Sequence, residues 1–114
     1  MSEGCIFCRI IAGSVPADVV ERTDDAWVVR DVQPQAPAHL LVIPTRHEAN
    51  LGDYAAAMPP ENLGALLALA SPAGRAASAD GYRVVINEGT QGGQTVGHLH
   101  LHVLSGRRMT WPPG

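Results

Sequence analysis

The stretch His98-Leu99-His100-Leu101-His102-Val103-Leu104 decides the reading of this chain. Side chains on an extended strand alternate between faces, and same-face neighbours lie about 6.6–6.8 Å apart. His98, His100 and His102 therefore line one face, and Leu99, Leu101 and Val103 the other. Burial accounts for the apolar row. It does not account for the imidazoles, because a face turned to solvent has no need of three. A single zinc ion held by all three is disfavoured, since the outer pair sits about 13 Å apart along the strand against Zn–N bonds of about 2.0–2.1 Å. At least one ring is left for other work. Histidine, with an ordinary pKa near ~6.5, serves as nucleophile, base or acid at neutral pH.

The residues before this stretch, Glu88-Gly89-Thr90-Gln91-Gly92-Gly93-Gln94-Thr95, form a glycine-rich loop. Gly89, Gly92 and Gly93 let backbone amides turn toward an anion, and Asn87, Gln94 and Thr95 add polar contacts. Alone, such a loop is weak evidence. Running straight into the histidine strand, it suits phosphoryl or nucleotidyl transfer, where positioning and charge stabilisation supply most of the catalysis.

Upstream, Tyr82–Asn87 reads as a strand, as do Val19–Arg22 and Ala26–Asp31, and His39–Pro44 is a near-continuous apolar run of the kind found in central strands. Val32–His39 is a loop, because two prolines exclude ladder pairing. Cys5–Ala12 places Ile6, Phe7, Ile10 and Ile11 at helical spacing, stopped by Gly13. Thr45–Glu48 starts a helix or a turn. Residues 60–80 carry an apolar stripe at Leu63, Leu66, Leu67 and Leu69, but Pro72 and Gly74 interrupt it. Proline inside a helix costs about 3 kcal/mol, which predicts one short helix followed by a kinked or unravelled turn. The sum is an α+β fold: an antiparallel sheet of about five strands with one or two helices packed on it.

The chain has 114 residues, room for one domain with its own core, which we place at 1–114 with 105–114 as a C-terminal tail. No apolar stretch approaches the ~20 residues needed to cross a bilayer, and no secretory signal opens the chain, so a soluble, cytoplasmic protein without membrane partners is expected. The formal net charge is −3, which argues against nucleic acid as a partner. Cys5 and Cys8 form a C-x-x-C pair, read as two metal ligands or a redox motif, since a disulfide there would close almost no loop.

The alternating histidines, preceded by Gly92-Gly93-Gln94-Thr95-Val96, resemble the signature of the histidine triad (HIT) superfamily. Cys5–Gly13 resembles the family's opening segment and Asp31–Pro44 its central loop and strand. Gly106–Gly114, ending Trp111-Pro112-Pro113-Gly114, is similar to the tail of the Hint branch, the purine nucleoside phosphoramidases. The resemblance implies a homodimer that cleaves the bond to the α-phosphate of a purine nucleotide, with a P–N bond as the preferred target and no catalytic metal. It implies His100 as nucleophile, forming a nucleotidyl-histidine, with His102 and His39 holding the charge and proton balance. Asn87, Gly93, Thr95 and the Val96 amide would contact the phosphate, and Asp31 the ribose hydroxyls. Ile6, Phe7, Ile10, Val15, Val29 and Val32 would wall the purine pocket, and Trp111 would approach the partner subunit's site. Similar bacterial proteins carry a structural zinc, and the matching set here is Cys5, Cys8, His47 and His98, the right count for a closed tetrahedral site.

Three departures stand out. Gly97 occupies a position that is usually aromatic in the Hint branch, which loosens the approach to the triad. Thr95 replaces a serine, and Ser71-Pro72-Ala73-Gly74 falls where the family helix is unbroken. Two other functions remain open: a dinucleoside polyphosphate hydrolase or nucleotidyl transferase of another branch, and a non-catalytic nucleotide-binding or scaffold dimer.

Overall fold

The computed structural model describes residues 4–114. Helix α1 (Ile6–Ile11) leads into strands β1 (Val19–Arg22), β2 (Ala26–Arg30) and β3 (Ala38–Pro44). Helices α2 (Leu51–Ala57) and α3 (Pro60–Ala77) follow, and then strands β4 (Tyr82–Ile86) and β5 (Leu101–Ser105). The strands form one antiparallel sheet in the order β1-β2-β3-β5-β4. β3 lies at its centre, as its unbroken apolar run requires, because both of its faces are covered.

Each face carries its own core. On one side Val28, Leu40, Val42, Leu99, Leu101 and Val103 pack with Tyr54 of α2 and Leu66 and Ala70 of α3. On the other, Val29, Leu41 and Ile43 pack with Phe7 and Ile10 of α1. The helical spacing of Phe7 and Ile10 explains why α1 forms where it does. Cys5 caps the helix, its sulfur accepting from the Cys8 amide at 3.4 Å, and Gly13 ends it in a left-handed turn at φ 83°.

Three expectations need correcting. Among the described residues there are three helices, not one or two, and α3 runs through Pro72 without a break. Pro72 denies the Ala68 carbonyl a donor, but Leu66, Ala70 and Gly74 are buried against the sheet on either side of it. A Cβ on Gly74 would come within 2.4 Å of the Tyr82 ring, and the Tyr82 hydroxyl donates to Ser71 Oγ at 2.8 Å. Packing around the proline outweighs the one hydrogen bond it removes. Second, of the helix or turn expected at Thr45–Glu48 only the helix fails: the chain bends at Thr45 and Arg46, and α2 begins at Leu51, where Asn50 accepts from the Asp53 amide at 2.8 Å. Third, the last strand starts at Leu101, so His98 and His100 precede the ladder. There the sheet partners run out: β4 and β3 reach Leu101 through Ile86 and Val42, and Leu99 donates instead to the Glu48 carbonyl at 2.9 Å. The alternation survives without the ladder: Leu99 sits in the α3-side core, while His98 and His100 lie against Phe7 on the opposite face.

Candidate active site and metal centre

The register pairs His39 with Leu104 and Leu41 with His102, which sets His39 and His102 diagonally on the α1-side face. His39 Nε2 lies 2.9 Å from His102 Nδ1. The Gln35 amide donates to His39 Nδ1 at 3.0 Å, so in the neutral ring the proton sits on Nε2. That proton points at His102 Nδ1, which must accept, leaving the His102 proton on its own Nε2. Burial pushes both rings toward the neutral form. It lowers the His39 pKa, with His100 also lowering it and Asp31 opposing. It brings His102 down to about 4, with His100 and His39 adding to the effect and Asp31 opposing it.

Asp31 Oδ2 stands 3.4 Å from His39 Nε2, while its Oδ1 accepts from the Gln33 amide at 2.8 Å in a local turn. Asp31, His39 and His102 thus bring three ligand-type atoms within 4.8 Å of one another. A metal there would have to displace the Nε2 proton that the Gln35 amide fixes on His39. The surroundings favour a hydrogen-bonded relay.

His100 Nδ1 lies 2.8 Å from the His98 carbonyl oxygen, which can only accept. The Nδ1 proton is therefore committed, and the lone pair of the neutral ring falls on Nε2. The ring is 6% exposed, with its centroid 4.9 Å from those of Phe7 and His102.

The glycine-rich loop is held in shape by its own side chains. Asn87 Nδ2 donates to the Gly92 carbonyl at 2.6 Å, and Gly93 turns through φ 81°. Gln94 accepts from the Gly89 amide and donates to the carbonyls of Ala49 and Val96 at 2.6 and 2.9 Å. Gln94, read from sequence as a ligand contact, is a staple. The amides of Thr95 and Val96, like those of Gly97 and His98 after them, have no acceptor among the described residues, which leaves them available as donors to an anion.

The cysteines and the other two histidines converge at the far end. Cys5 Sγ is 3.3 Å from His98 Nδ1, and Cys8 Sγ is 3.6 Å from His98 Nδ1 and 3.2 Å from His47 Nδ1. The two Nδ1 atoms are 3.0 Å apart. A tetrahedral zinc, with bonds of about 2.3 Å to sulfur and 2.0–2.1 Å to nitrogen, separates neighbouring ligand atoms by about 3.3–3.8 Å. The cluster matches that within a few tenths of an ångström. His98 Nε2 donates to the Pro44 carbonyl at 2.9 Å, which turns the Nδ1 lone pair inward, and burial lowers its pKa. The donor set fits zinc.

A HIT domain model matches residues 12–109. The chain belongs to the HIT domain family. An uncharacterized HIT-like protein of Synechococcus elongatus is 50% identical over 114 residues, all of both chains. A HIT family hydrolase from Legionella pneumophila is 43% identical with a TM-score of 0.87, covering 97% of this HIT chain and 100% of that one. A zinc-bound histidine triad family protein from Mycobacterium smegmatis is 34% identical with a TM-score of 0.82, covering 97% and 80%.

Of the purine-wall candidates in this HIT chain, Phe7, Ile10 and Val29 are buried together and Val15 packs beside them. Ile6 is 38% exposed, and Val32, at 91%, lies outside the cluster. Trp111 is 83% exposed on a tail tied to β4 by Arg83, which donates to the Thr110 carbonyl at 2.9 Å. Sequence reasoning missed the Gln35 amide and the carbonyls of Pro44 and Glu48. Backbone groups carry no residue-type signal, so only the fold reveals them.

Proposed function

We propose that this HIT chain is a hydrolase that cleaves purine nucleoside phosphoramidates through a nucleotidyl intermediate on His100. The observation that carries this reading is the hydrogen bond from His100 Nδ1 to the His98 carbonyl, which leaves Nε2 as a directed lone pair. The reading extends the hydrolase character of the Legionella pneumophila relative to one bond type. The Trp111-Pro112-Pro113-Gly114 tail favours that bond type over a dinucleoside polyphosphate.

The amides of Thr95 and Val96 hold the phosphate oxygens, and Asn87 and Gly93 keep the loop open for them. Asp31 takes the ribose, and Phe7, Ile10, Val15 and Val29, with Ile6 and Val32 at the rim, take the base. His100 Nε2 forms a bond to phosphorus as the P–N bond to the amine breaks. The amine leaves with a proton taken from solvent water, and the neutral His102 ring keeps its Nε2 proton as a hydrogen-bond donor to the departing group. Water then attacks phosphorus, the Nε2–P bond breaks with its electron pair returning to His100 Nε2, and one proton is released to solvent. His39, with its Nδ1 held by the Gln35 amide, keeps His102 in the tautomer this requires. Zinc held by Cys5, Cys8, His47 and His98 would supply no chemistry to these steps; it would pin α1 to the segment carrying His100.

The homodimer belongs to the same proposal. β4 is an edge strand with an open row of backbone groups, and Leu67 of α3 is 48% exposed. Trp111 would then reach the partner's site.

Mass spectrometry of enzyme quenched during turnover of adenosine phosphoramidate tests the mechanism. A nucleotide adduct on a His100 peptide is expected, and His100→Ala should lose activity on the order of 10⁴-fold or more. Hydrolysis that continues without an adduct would mean that water attacks directly.

A further inference from the structure

The donor that fixes the His39 tautomer is a single backbone amide, so whatever fixes that amide bears on the relay behind it. Gln35 lies in the loop between β2 and β3, where no ladder holds the backbone. The first half of the loop is tied locally. The Gln33 amide donates to Asp31 Oδ1 at 2.8 Å, and Gln35 Nε2 donates to the Gln33 carbonyl at 3.0 Å. The second half is held from outside, by the two residues that follow β5. Gly106 turns the chain at φ 94° and lies against Pro37, whose ring a Cβ there would approach within 2.8 Å. Arg107 comes next, and its Nε donates to the Gln35 carbonyl at 3.1 Å. Among the described residues that carbonyl accepts from no other group.

The Gln35 carbonyl and amide belong to adjacent planar peptides that meet at one Cα, so holding the first limits the swing of the second. The amide in turn donates to His39 Nδ1 at 3.0 Å. With the amide swung away, His39 could carry its proton on Nδ1. The His39–His102 contact would then reverse, His102 Nδ1 donating to His39 Nε2, and His102 would present a lone pair at Nε2 in place of a proton. An arginine suits the task, because its guanidinium keeps its donors at every working pH.

We infer that Arg107 is a positioning residue: by clamping the Gln35 carbonyl it holds the amide that keeps the His39–His102 pair in the tautomer with a proton on His102 Nε2. Arg107 itself makes no hydrogen bond to either ring. The consequence for turnover rests on the phosphoramidate reading above; the tautomers do not depend on it.

The test reads long-range ¹H–¹⁵N correlations of the imidazoles at about pH 8, where ordinary histidines are neutral. It compares the wild type with Arg107→Met, which keeps the side-chain stem without the donor, and with Arg83→Ala, which releases the tail at Thr110 and leaves the loop alone. In Arg107→Met the ratio of Nδ1- to Nε2-protonated His39 should rise about tenfold, the size of effect expected from one hydrogen bond, and His102 should follow. Arg83→Ala should match the wild type. With adenosine phosphoramidate, kcat of Arg107→Met should fall at least about twofold while KM holds within about twofold, since the His102 donor meets the departing group. If the methionine variant fails to fold, Arg107→Ala carries the same comparison. A His39 ring that keeps its Nε2 proton in the folded variant would overturn the inference, and so would an equal shift in Arg83→Ala, which would assign the effect to the tail. Shifted tautomers in a protein whose wild type turns over no phosphoramidate would leave the clamp standing and overturn the functional reading alone.

Discussion

Two ends of the histidine row make the same close contact for opposite reasons. At the candidate metal centre, His47 and His98 bring ring nitrogens within 3.0 Å; at the other end, His39 and His102 do so within 2.9 Å. The difference lies in what the backbone offers each ring from behind. A carbonyl, that of Pro44, takes the His98 Nε2 proton and turns a lone pair inward, where two sulfurs and another imidazole converge on it. An amide, that of Gln35, takes the His39 Nδ1 lone pair and turns a proton inward. The first arrangement calls for a cation and the second for a hydrogen bond. One residue type is thus fitted to hold a metal or to pass on a hydrogen bond according to the polarity of a single backbone group. His100 stands between, and the His98 carbonyl holds its Nδ1 proton, which leaves its Nε2 free for the role we propose.

The largest effect that would sharpen this contrast is removal of the metal. Zinc-loaded protein stripped with a chelator should lose about 10 °C or more in Tm, as should Cys8→Ser, since a small domain shifts by about 4–8 °C per kcal/mol. The chelator should not move the Tm of Cys8→Ser further. If it does, a second ion is bound, and the cluster of Asp31, His39 and His102 is the place to look.

A smaller effect concerns acid. The His102 pKa is about 4 in the folded chain against 6.5 for an ordinary histidine. Between those values the unfolded state binds more protons, so stability falls as pH drops from 6.5 toward 4 and levels off below. The slope is at most about 1.4 kcal/mol per pH unit for each such histidine. His102→Phe, which cannot take up a proton, should flatten the slope of ΔG against pH in urea titrations. An unchanged slope would mean that the His102 ring is not held neutral.

The same logic explains what could be read in advance. The apolar run His39–Pro44 identifies a central strand because both faces of β3 are buried, and the spacing of Phe7 and Ile10 identifies α1 because that stripe meets the sheet. Pro72 misleads because local propensity says nothing of the Tyr82 ring lying over Gly74, or of the sheet that holds the helix on both sides of the proline. The histidines and cysteines announce themselves by chemistry. Which of them could hold metal and which hold protons depends on Pro44 O, Gln35 N and His98 O, backbone atoms without a residue-type signal that only the fold can aim.

The most direct test is the tautomeric state of each imidazole, read from long-range ¹H–¹⁵N correlations at about pH 8, where ordinary histidines are neutral. His100 should carry its proton on Nδ1, and His39 and His102 on Nε2. A His100 ring protonated on Nε2 would have no lone pair to aim at phosphorus and would contradict the account.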